Sequence, residues 1–599
     1  MQLWVLLITV LVPLAIAPGL LSAFDITPKI AILLFCESVL LLFCKQLVNG
    51  AKTLFESIPG RLYLACLAAQ WISTFVSTIS SSNPALSIYG SSWRRDGLIA
   101  ETAILLFAFI VAAWFAGDHS RMLAVLRAAT LTGGAASIYG IAQYLGWDPL
   151  LPSNAYQSGE GPFTIVRPPG TLGHADFFAN WLVIVAFFAL ALALRENNRR
   201  WRTIARVTVL LAALAIVLSG TRSAMLGLLT GAIVFIALAR PRLDRRTILI
   251  LAACLALFYL SPPGAKLRAR VHWSLDDLRG GARLLLWRDS LHMAIRRPIL
   301  GFGPETFTAQ FPPFASVDLS RAYPDFYHES PHNMFLDALT SRGLPGALLL
   351  LALCVLAFWA ARRNPALAAA LAGAVVCQQF LVLTIPTALY FYLLISMLIA
   401  AAIPARPPEP RPFPLALIPV AAAIAIVFIV FASRLLLADR ALALAQQRAA
   451  SGDIRGASAA YRSLRRYEPL PGESDLRYSR AMTRLATTTP VFAVSVAAAE
   501  QATESAIRAT STAEDRQNAW YNLATIAALR NDRAGVEDGL RSAIGCAPNW
   551  FKPHWTLSQL LELTGRHADA RREASLALLL DGGHDPEVTA TSRHILSLP

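Results

Sequence analysis

The side chains best suited to chemistry are concentrated in one polar segment, residues 261–333, which lies between two long apolar blocks. Arg283 and Trp287 stand four residues apart there, and His332 directly precedes the next apolar block. A further arginine, Arg222, lies in a Ser-Gly-Thr-Arg-Ser turn between two apolar runs. A guanidinium group binds phosphate oxygens in pairs and keeps its charge, whereas an imidazole can accept a proton from a hydroxyl group. These residues indicate a site for a phosphate-bearing substrate.

The chain is too apolar for a soluble globular protein. Its 599 residues are 55% hydrophobic and only 15% charged, which predicts a membrane protein. Apolar runs long enough to cross a bilayer number about thirteen, near residues 3–24, 29–49, 61–80, 97–116, 122–146, 174–195, 202–219, 222–240, 246–262, 334–360, 366–384, 386–403 and 413–436. The first run has no basic residues before it, so we interpret it as a retained helix rather than a cleaved signal peptide.

Lysine and arginine residues predict the orientation of these spans. With a cytoplasmic N-terminus, the basic short loops all fall on the cytoplasmic side. The basic residues behind the net charge of +15 are therefore explained largely by their role in setting membrane topology, and no nucleic-acid partner is predicted. The same count places the following on the outer face: residues 81–96, 147–173, 219–222, 261–333 and everything after 431. Arginines on that face depart from the rule and need another explanation.

One helix is predicted inside the polar segment, over residues 283–297. Its apolar side chains recur at helical spacing, so it would lie along the membrane surface; these are Leu284, Trp287, Leu291 and Ile295. Arg288, His292 and Arg296 lie beside that face, where a solvated flank is the favoured interpretation. Pro298 would end the helix, and Gly301, Gly303 and Pro304 would form a turn.

The chain after about residue 437 is alanine-rich and repeats with a period of 34 residues. Trp520, Leu523, Ala543 and Pro548 correspond in this register to His554, Leu557, Ala577 and Gly582. An earlier unit carries Gly452, Ala457, Tyr461 and Pro469 at tetratricopeptide offsets. This pattern predicts a tetratricopeptide domain of about three to four helix pairs, degenerate over 475–515. An unrelated bundle of helical hairpins is the alternative.

Four sequence segments in order resemble the O-antigen ligase and O-antigen polymerase superfamily of bacterial membrane glycosyltransferases. They are Arg167 to His174, the turn 219–223, the stretch 283–307 and the stretch from His332 to Gly346. The predicted class is therefore all-α, a polytopic helical bundle of about 12–13 spans with a GT-C-like fold, followed by an α-solenoid. The predicted divisions are 1–260 for the first membrane helices, 261–333 for a periplasmic loop, 334–436 for the last membrane helices and 437–599 for the tetratricopeptide domain.

The resemblance implies transfer of a glycan from a polyprenyl (undecaprenyl) diphosphate to an acceptor at the outer face of the bacterial inner membrane. It implies no cofactor, metal or nucleotide sugar. Arg222 and Arg283 would bind the diphosphate, and His332 would act near the acceptor. Six further residues are predicted to bind substrate: Arg167, Glu305, His328, Trp287, Arg288 and Asn333. The expected partners are the lipid-linked glycan, a glycan, lipid or protein acceptor, membrane lipids and a protein at the periplasmic tetratricopeptide domain.

Each of these residues also has a structural interpretation. Arg222 and Arg283 would then be ordinary interfacial arginines, and His332 would only begin a helix. His174 is interpreted as structural, and Arg94 and Arg95 as anchors of an interfacial segment. Two alternative functions stay open: a protein O-oligosaccharyltransferase of the same superfamily, and a non-catalytic scaffold that uses its tetratricopeptide domain in polysaccharide assembly. A lipid or ion transporter is disfavoured, because the spans carry few charges.

Overall fold

Helices make up most of the part of the chain that is described by the structure, a computed structural model. The described residues are 1–158, 165–240, 245–262, 264–276, 281–404, 416–469 and 473–598. The predicted helical class is confirmed, with one addition. Two short strands, Gln157–Ser158 and Ile165–Val166, pair antiparallel, Gln157 opposite Val166.

The helices fall into three groups along the chain. The first group is α1 Gln2–Leu14, α2 Thr27–Leu40, α3 Leu47–Glu56, α4 Ile58–Ile79, α5 Pro84–Tyr89, α6 Leu98–Gly117, α7 Arg121–Leu145, α8 Ala175–Arg195, α9 Arg199–Ser219, α10 Arg222–Ala239 and α11 Arg245–Leu260. The second group is α12 Ala265–Asp276, α13 Arg283–Arg296, α14 Phe307–Gln310, α15 Val317–Ala322, α16 Met334–Ala360, α17 Pro365–Cys377, α18 Ile385–Ala401 and α19 Leu417–Ala450. The third group is α20 Ile454–Tyr467, α21 Glu473–Thr488, α22 Phe492–Thr512, α23 Arg516–Leu529, α24 Arg533–Cys546, α25 Phe551–Leu563, α26 His567–Asp581 and α27 Pro586–Ser597.

Eight helices in the described residues are long and apolar enough to cross a membrane: α4, α6, α7, α8, α9, α10, α16 and α19. They correspond to eight of the thirteen predicted spans. The other five predicted spans contain α1, α2, α11, α17 and α18, whose lengths are 13 to 17 residues. A 13-residue α-helix extends only about 20 Å, against a hydrocarbon core of about 30 Å. The structure therefore supports fewer full-length spans than the sequence predicted.

Two of the apolar runs supply the protein core. Sixteen of the 17 residues of α18 are buried, as are 16 of the 21 residues of α8. Trp181 of α8 meets Tyr390 of α18 edge to face, with ring centroids 5.4 Å apart. A helix that is apolar all round belongs inside a large protein or membrane domain, so the composition of α18 reflects burial against protein.

Several helix ends meet at one place and set the backbone of the candidate site. The hydroxyl of Thr221, which precedes α10, donates to the carbonyl of Ala175 at the start of α8, 3.4 Å away. The backbone N–H of Met334 at the start of α16 donates to the carbonyl of Gln378 just after α17, at 2.9 Å. Segments far apart in sequence therefore bring their terminal residues together.

Helix α13 confirms the predicted helix in the polar segment and ends one residue earlier than expected. Leu286, Asp289, Ser290 and Met293 face the protein and are buried. Leu284, Leu291 and Ile295 remain 45% to 63% exposed. An apolar strip that no protein covers fits a helix lying against lipid.

Helices α19 to α27 form a tail of antiparallel pairs. The C-terminal part of α19 packs on α20, α21 on α22, α23 on α24, and α25 on α26. α24 and α26 begin 34 residues apart, which agrees with the sequence period. The predicted division at residue 437 falls inside α19, because that helix continues for 34 residues from the last apolar run into the tail.

The tail contacts the segment that links the membrane helices. Asn549 donates its amide N–H to the carbonyl of Ala315 at 2.7 Å. Trp550 Nε1 donates to Asp325 at 3.2 Å, and Lys552 Nζ pairs with the same carboxylate at 2.5 Å. The tail thus lies directly against the polar segment that holds the candidate residues.

Candidate functional site

Asp176, in the first turn of α8, connects several elements of the site. Its carboxylate accepts a hydrogen bond from Thr221 Oγ1 at 2.9 Å and pairs with the guanidinium of Arg167. Arg167 Nε is buried, and nothing in the described residues accepts a hydrogen bond from it. Asp176 also lies within electrostatic reach of Arg283. The Asp176 carboxylate therefore contacts the 167 segment and the 219–222 turn directly, and it interacts electrostatically with Arg283 at the start of α13.

Arg283 begins α13 and is half-buried. Its guanidinium carbon lies 6.0 Å from the centre of the Phe380 ring, a distance at which a cation and a ring attract weakly. Among the described residues, no carboxylate comes within 4 Å of its guanidinium, although its charge acts on Asp176 and on His332. Its guanidinium can therefore bind an anion without first breaking an internal ion pair.

His332 is held in a strained backbone conformation, with φ of +49°, which is uncommon outside glycine and asparagine. Its Nδ1 atom is buried without a hydrogen-bond partner in the described residues. Burial, followed by the charge of Arg283, lowers the pKa of His332 to about 4. The imidazole is therefore neutral near pH 7 and has a lone pair available for a proton.

Two predicted substrate-binding residues fix the backbone around His332. Trp287 donates its indole N–H to the carbonyl of Pro331 at 3.1 Å. Asn333 caps α16, because its side-chain oxygen accepts from Phe335 N at 3.0 Å and Leu336 N at 3.1 Å. Such a cap satisfies backbone donors that a helix start leaves open. Both residues position the histidine loop through contacts within the protein.

Arg222 is the first residue of α10 and is half-buried. Its neighbours on both sides are tied to α8: Thr221 bonds Asp176, and the Ser223 hydroxyl lies 3.4 Å from the Asn180 side-chain oxygen. The turn that carries Arg222 is therefore fixed at the same helix ends as Asp176.

Glu305 lies in a different, fully buried network. Its carboxylate accepts from Arg94 Nε at 2.6 Å, from Ser91 N at 3.1 Å and from Asp96 N at 3.3 Å, and the Ser91 hydroxyl also bonds it. The guanidinium of Arg94 also donates two hydrogen bonds to the carboxylate of Asp337, at 3.1 and 3.2 Å. Protein donors thus occupy the Glu305 carboxylate. Arg94, interpreted from the sequence as an anchor of an interfacial segment, has a side chain that is only 5% exposed and is held inside the protein by these carboxylates.

Arg288 and His328 lie away from Asp176. Arg288 donates to Asp289 at 3.0 Å and to the Ser316 hydroxyl at 2.6 Å, and it remains 41% exposed. His328 lies among aromatic rings, edge-on to Phe311 at 5.7 Å. His328 is still within electrostatic reach of His332, so it borders the site.

Sequence reasoning missed Asp176 and Asp289. Asp176 stands alone at the start of an apolar run, and a charge there is a signal for function that could have been used. Asp289 is 1% exposed and accepts from Ser316 N at 2.8 Å, which no spacing in the sequence indicates. His174, interpreted as structural, caps α8, because its Nδ1 accepts from the N–H of Asp176 at 3.2 Å.

An open cavity of about 850 Å³ adjoins Arg167 and His174. Its wall comes from three segments, residues 18–25, 149–157 and 167–175. Polar side chains in the wall include Asp25, Asn154 and Gln157. The cavity is within the 300 to 1,000 Å³ range that is roughly usual for ligand sites, and it gives Arg167 an approach from outside.

Residues 207–351 match the family model for O-antigen ligase. The match includes Arg222, Arg283, Trp287, Arg288, Glu305, His328, His332 and Asn333, whereas Arg167 and Asp176 lie before it. It supports the predicted ligase and polymerase superfamily. No curated protein matches the chain.

Proposed function

We propose that this protein transfers a glycan from a polyprenyl diphosphate carrier to an acceptor hydroxyl at the outer face of the bacterial inner membrane. The observation that carries the proposal is the pair of Arg283 and His332. A cation with no carboxylate within 4 Å in the described residues lies within electrostatic reach of a buried, neutral imidazole. The match over residues 207–351 supports the same class of reaction.

The arginines act on the leaving group. Displacement of a lipid diphosphate at the anomeric carbon builds negative charge on the phosphate oxygens. Guanidinium groups of Arg283 and Arg222 stabilise that charge through paired hydrogen bonds. Arg167, held by Asp176 beside the open cavity, adds a third positive charge on the side from which the donor enters.

His332 acts on the acceptor. The acceptor oxygen forms a bond to the anomeric carbon, and the bond from that carbon to the diphosphate oxygen breaks. The leaving diphosphate keeps the bonding electron pair, and the hydroxyl proton passes to the neutral imidazole. The bound diphosphate also offsets the charge of Arg283, which raises the pKa of His332 and makes it a stronger base once the donor is present.

The transfer reaction tests this proposal directly. Purified protein in lipid is given a glycan linked to undecaprenyl diphosphate, and the transferred glycan is measured. Arg222→Ala, Arg283→Ala and His332→Ala should each lower the rate by about a hundredfold or more. Arg296→Ala is the matched control, because Arg296 is an exposed arginine at the other end of α13.

Normal transfer by all three variants would contradict an enzymatic role for this site. The scaffold alternative makes a different prediction. Residues 437–599 on a single membrane anchor would then restore polysaccharide assembly in cells that lack the protein. Under the proposal made here, that tail alone restores nothing, because it contains none of the three residues.

A further inference from the structure

A second cavity lies between the polar segment and the tail. Four aromatic residues form much of its wall: Phe311, Tyr323, Phe326 and Trp550. Its cavity volume is about 70 Å³, and the space rises to about 600 Å³ when the part open to solvent is counted. Phe326 is 59% exposed and Tyr323 is 39% exposed, so both rings are accessible to a ligand.

Polar groups stand between these rings. Gln517, Ser320 and Tyr323 line the cavity, and no hydrogen bond from their side chains to protein is seen among the described residues. Asn549 uses its N–H to bond Ala315, which leaves its side-chain oxygen available. The wall therefore offers both donors and acceptors beside apolar ring faces.

The wall is held in place from both sides. Trp550 bonds Asp325 at 3.2 Å, and Lys552 pairs with the same carboxylate. Phe551, Leu580 and Val588 of the tail form an apolar cluster with Val317 of α15. The cavity is thus a formed feature of the contact between two parts of the chain.

We propose that this cavity binds one saccharide unit of the acceptor glycan. A pyranose ring has C–H faces that pack on the negative faces of aromatic rings, and its rim of hydroxyl groups needs mixed donors and acceptors. The lining supplies both. His328 belongs to the wall and lies within electrostatic reach of His332, so a sugar held here extends toward the proposed base. This inference rests on the proposed function.

Binding and transfer are measured separately to test it. The binding probe is the lipid-free oligosaccharide released by mild acid from lipopolysaccharide of the producing organism, titrated onto the full-length protein in nanodiscs. Phe326→Ala should weaken binding by about tenfold, and Tyr323→Phe should weaken it several-fold. Phe326→Tyr, which keeps the ring, should bind like the native protein. In transfer, Phe326→Ala should raise the KM for the acceptor with little change in kcat.

Phe492→Ala is the matched control, because Phe492 is 82% exposed on the tail and is not part of the cavity wall. Native affinity of Phe326→Ala, or no saccharide binding by the native protein, would overturn the inference. Binding of a serine-rich peptide in place of the oligosaccharide would also overturn it. Arg283→Ala should still bind the oligosaccharide, so failure of the proposed transfer reaction remains distinguishable from failure of this site.

Discussion

At the scale of single residues, the site depends on charge that is only partly neutralised. Asp176 pairs with Arg167, yet Arg283 has no such partner in the described residues, and the nearby imidazole is neutral because it is buried. A diphosphate supplies the missing negative charge. The site therefore favours an anion, and binding of that anion changes the basicity of His332.

The pH dependence of transfer follows from this coupling. Burial and the charge of Arg283 lower the pKa of His332 to about 4. Protonation removes the base, so the rate at low donor concentration should fall only as the pH approaches about 4. Replacing Arg283 with Gln removes a positive charge that disfavours the imidazolium ion, so the pKa rises. The fall in the remaining activity on the acid side of the pH profile, the acid limb, should then move to higher pH. Rates measured between pH 4 and 8 check this.

Arg296→Gln is the control for this shift, because it removes an arginine from the far end of the same helix. Its acid limb should coincide with that of the native protein. An acid limb that stays in place in Arg283→Gln would contradict the assignment of His332 as the base. A shift to lower pH would do so as well.

The sequence predicted these residues by type and position, but their functional roles could be assigned only in part. Arg283 and His332 were identifiable because they stand in a polar segment at the edges of apolar runs. Asp176 carried a usable signal, a charge at the start of an apolar run, but its contacts were not predictable, since its partners Arg167 and Thr221 lie 9 and 45 residues away. Glu305 shows the opposite error. It was predicted to bind substrate because it lies in the segment 283–307, which resembles the family, whereas protein donors occupy its carboxylate.

At the scale of elements, the turn between α13 and α14 packs against α16 at the point where that helix is interrupted. Gly343 interrupts α16 with φ of +69°, and there Leu344 N donates to the carbonyl of Pro298 at 2.7 Å. Gly303 N donates to Ser341 O at 2.9 Å. The glycines in the resembling segment therefore have a physical reason: they allow two backbones to lie almost in contact.

Substitution of Gly303 should destabilise the protein. Its φ is +106°, and a Cβ atom there would lie 2.1 Å from the Ser81 hydroxyl oxygen. Gly303→Ala should lower the free energy of unfolding by at least about 2 kcal/mol, followed as a lower Tm in detergent. Gly545→Ala is the control, because it lies in helix α24 with nothing within 4 Å of an added Cβ. That change should leave Tm equal or higher, and an equal loss in both variants would contradict the explanation.

A helix was predicted correctly where the apolar periodicity and the helix-breaking residues indicated the same bounds. Helix α13 was predicted because apolar residues recur at helical spacing and Pro298 follows. The predicted span 29–49 was not a single helix, because α2 gives way at Leu41 to a 3-10 segment, Leu41–Gln46. Hydropathy alone does not separate a helix that faces lipid from one that is buried against protein, and 16 of the 17 residues of α18 are buried.

At the scale of the whole molecule, two of the contacts between the tail and the rest of the chain bear on the candidate site. One is the contact of Asn549, Trp550 and Lys552 with residues 315–325. The other is Glu514, which accepts from Ser92 N at 2.7 Å. Ser92 is next to Ser91, which bonds Glu305, so the tail reaches the buried network that supports the start of α16. A run of hydrogen bonds thus connects the tail to Asp337 at the start of α16.

This second contact should weaken as the pH rises. Burial raises the pKa of Glu514 to about 7, although Arg95 lowers it, and burial beside Asp515 and Glu514 raises the pKa of Glu473 to about 8. The Glu514 carboxyl binds a proton more tightly when docked than when free, so docking is favoured at low pH and loses this contribution progressively as the pH rises from the ordinary pKa of 4.5 to about 7. Hydrogen exchange, corrected for its intrinsic pH dependence, should show less protection of residues 90–96 at pH 9 than at pH 6. Glu514→Gln, which cannot ionise, should reduce that difference, and equal protection of the native protein at both pH values would contradict the role of Glu514.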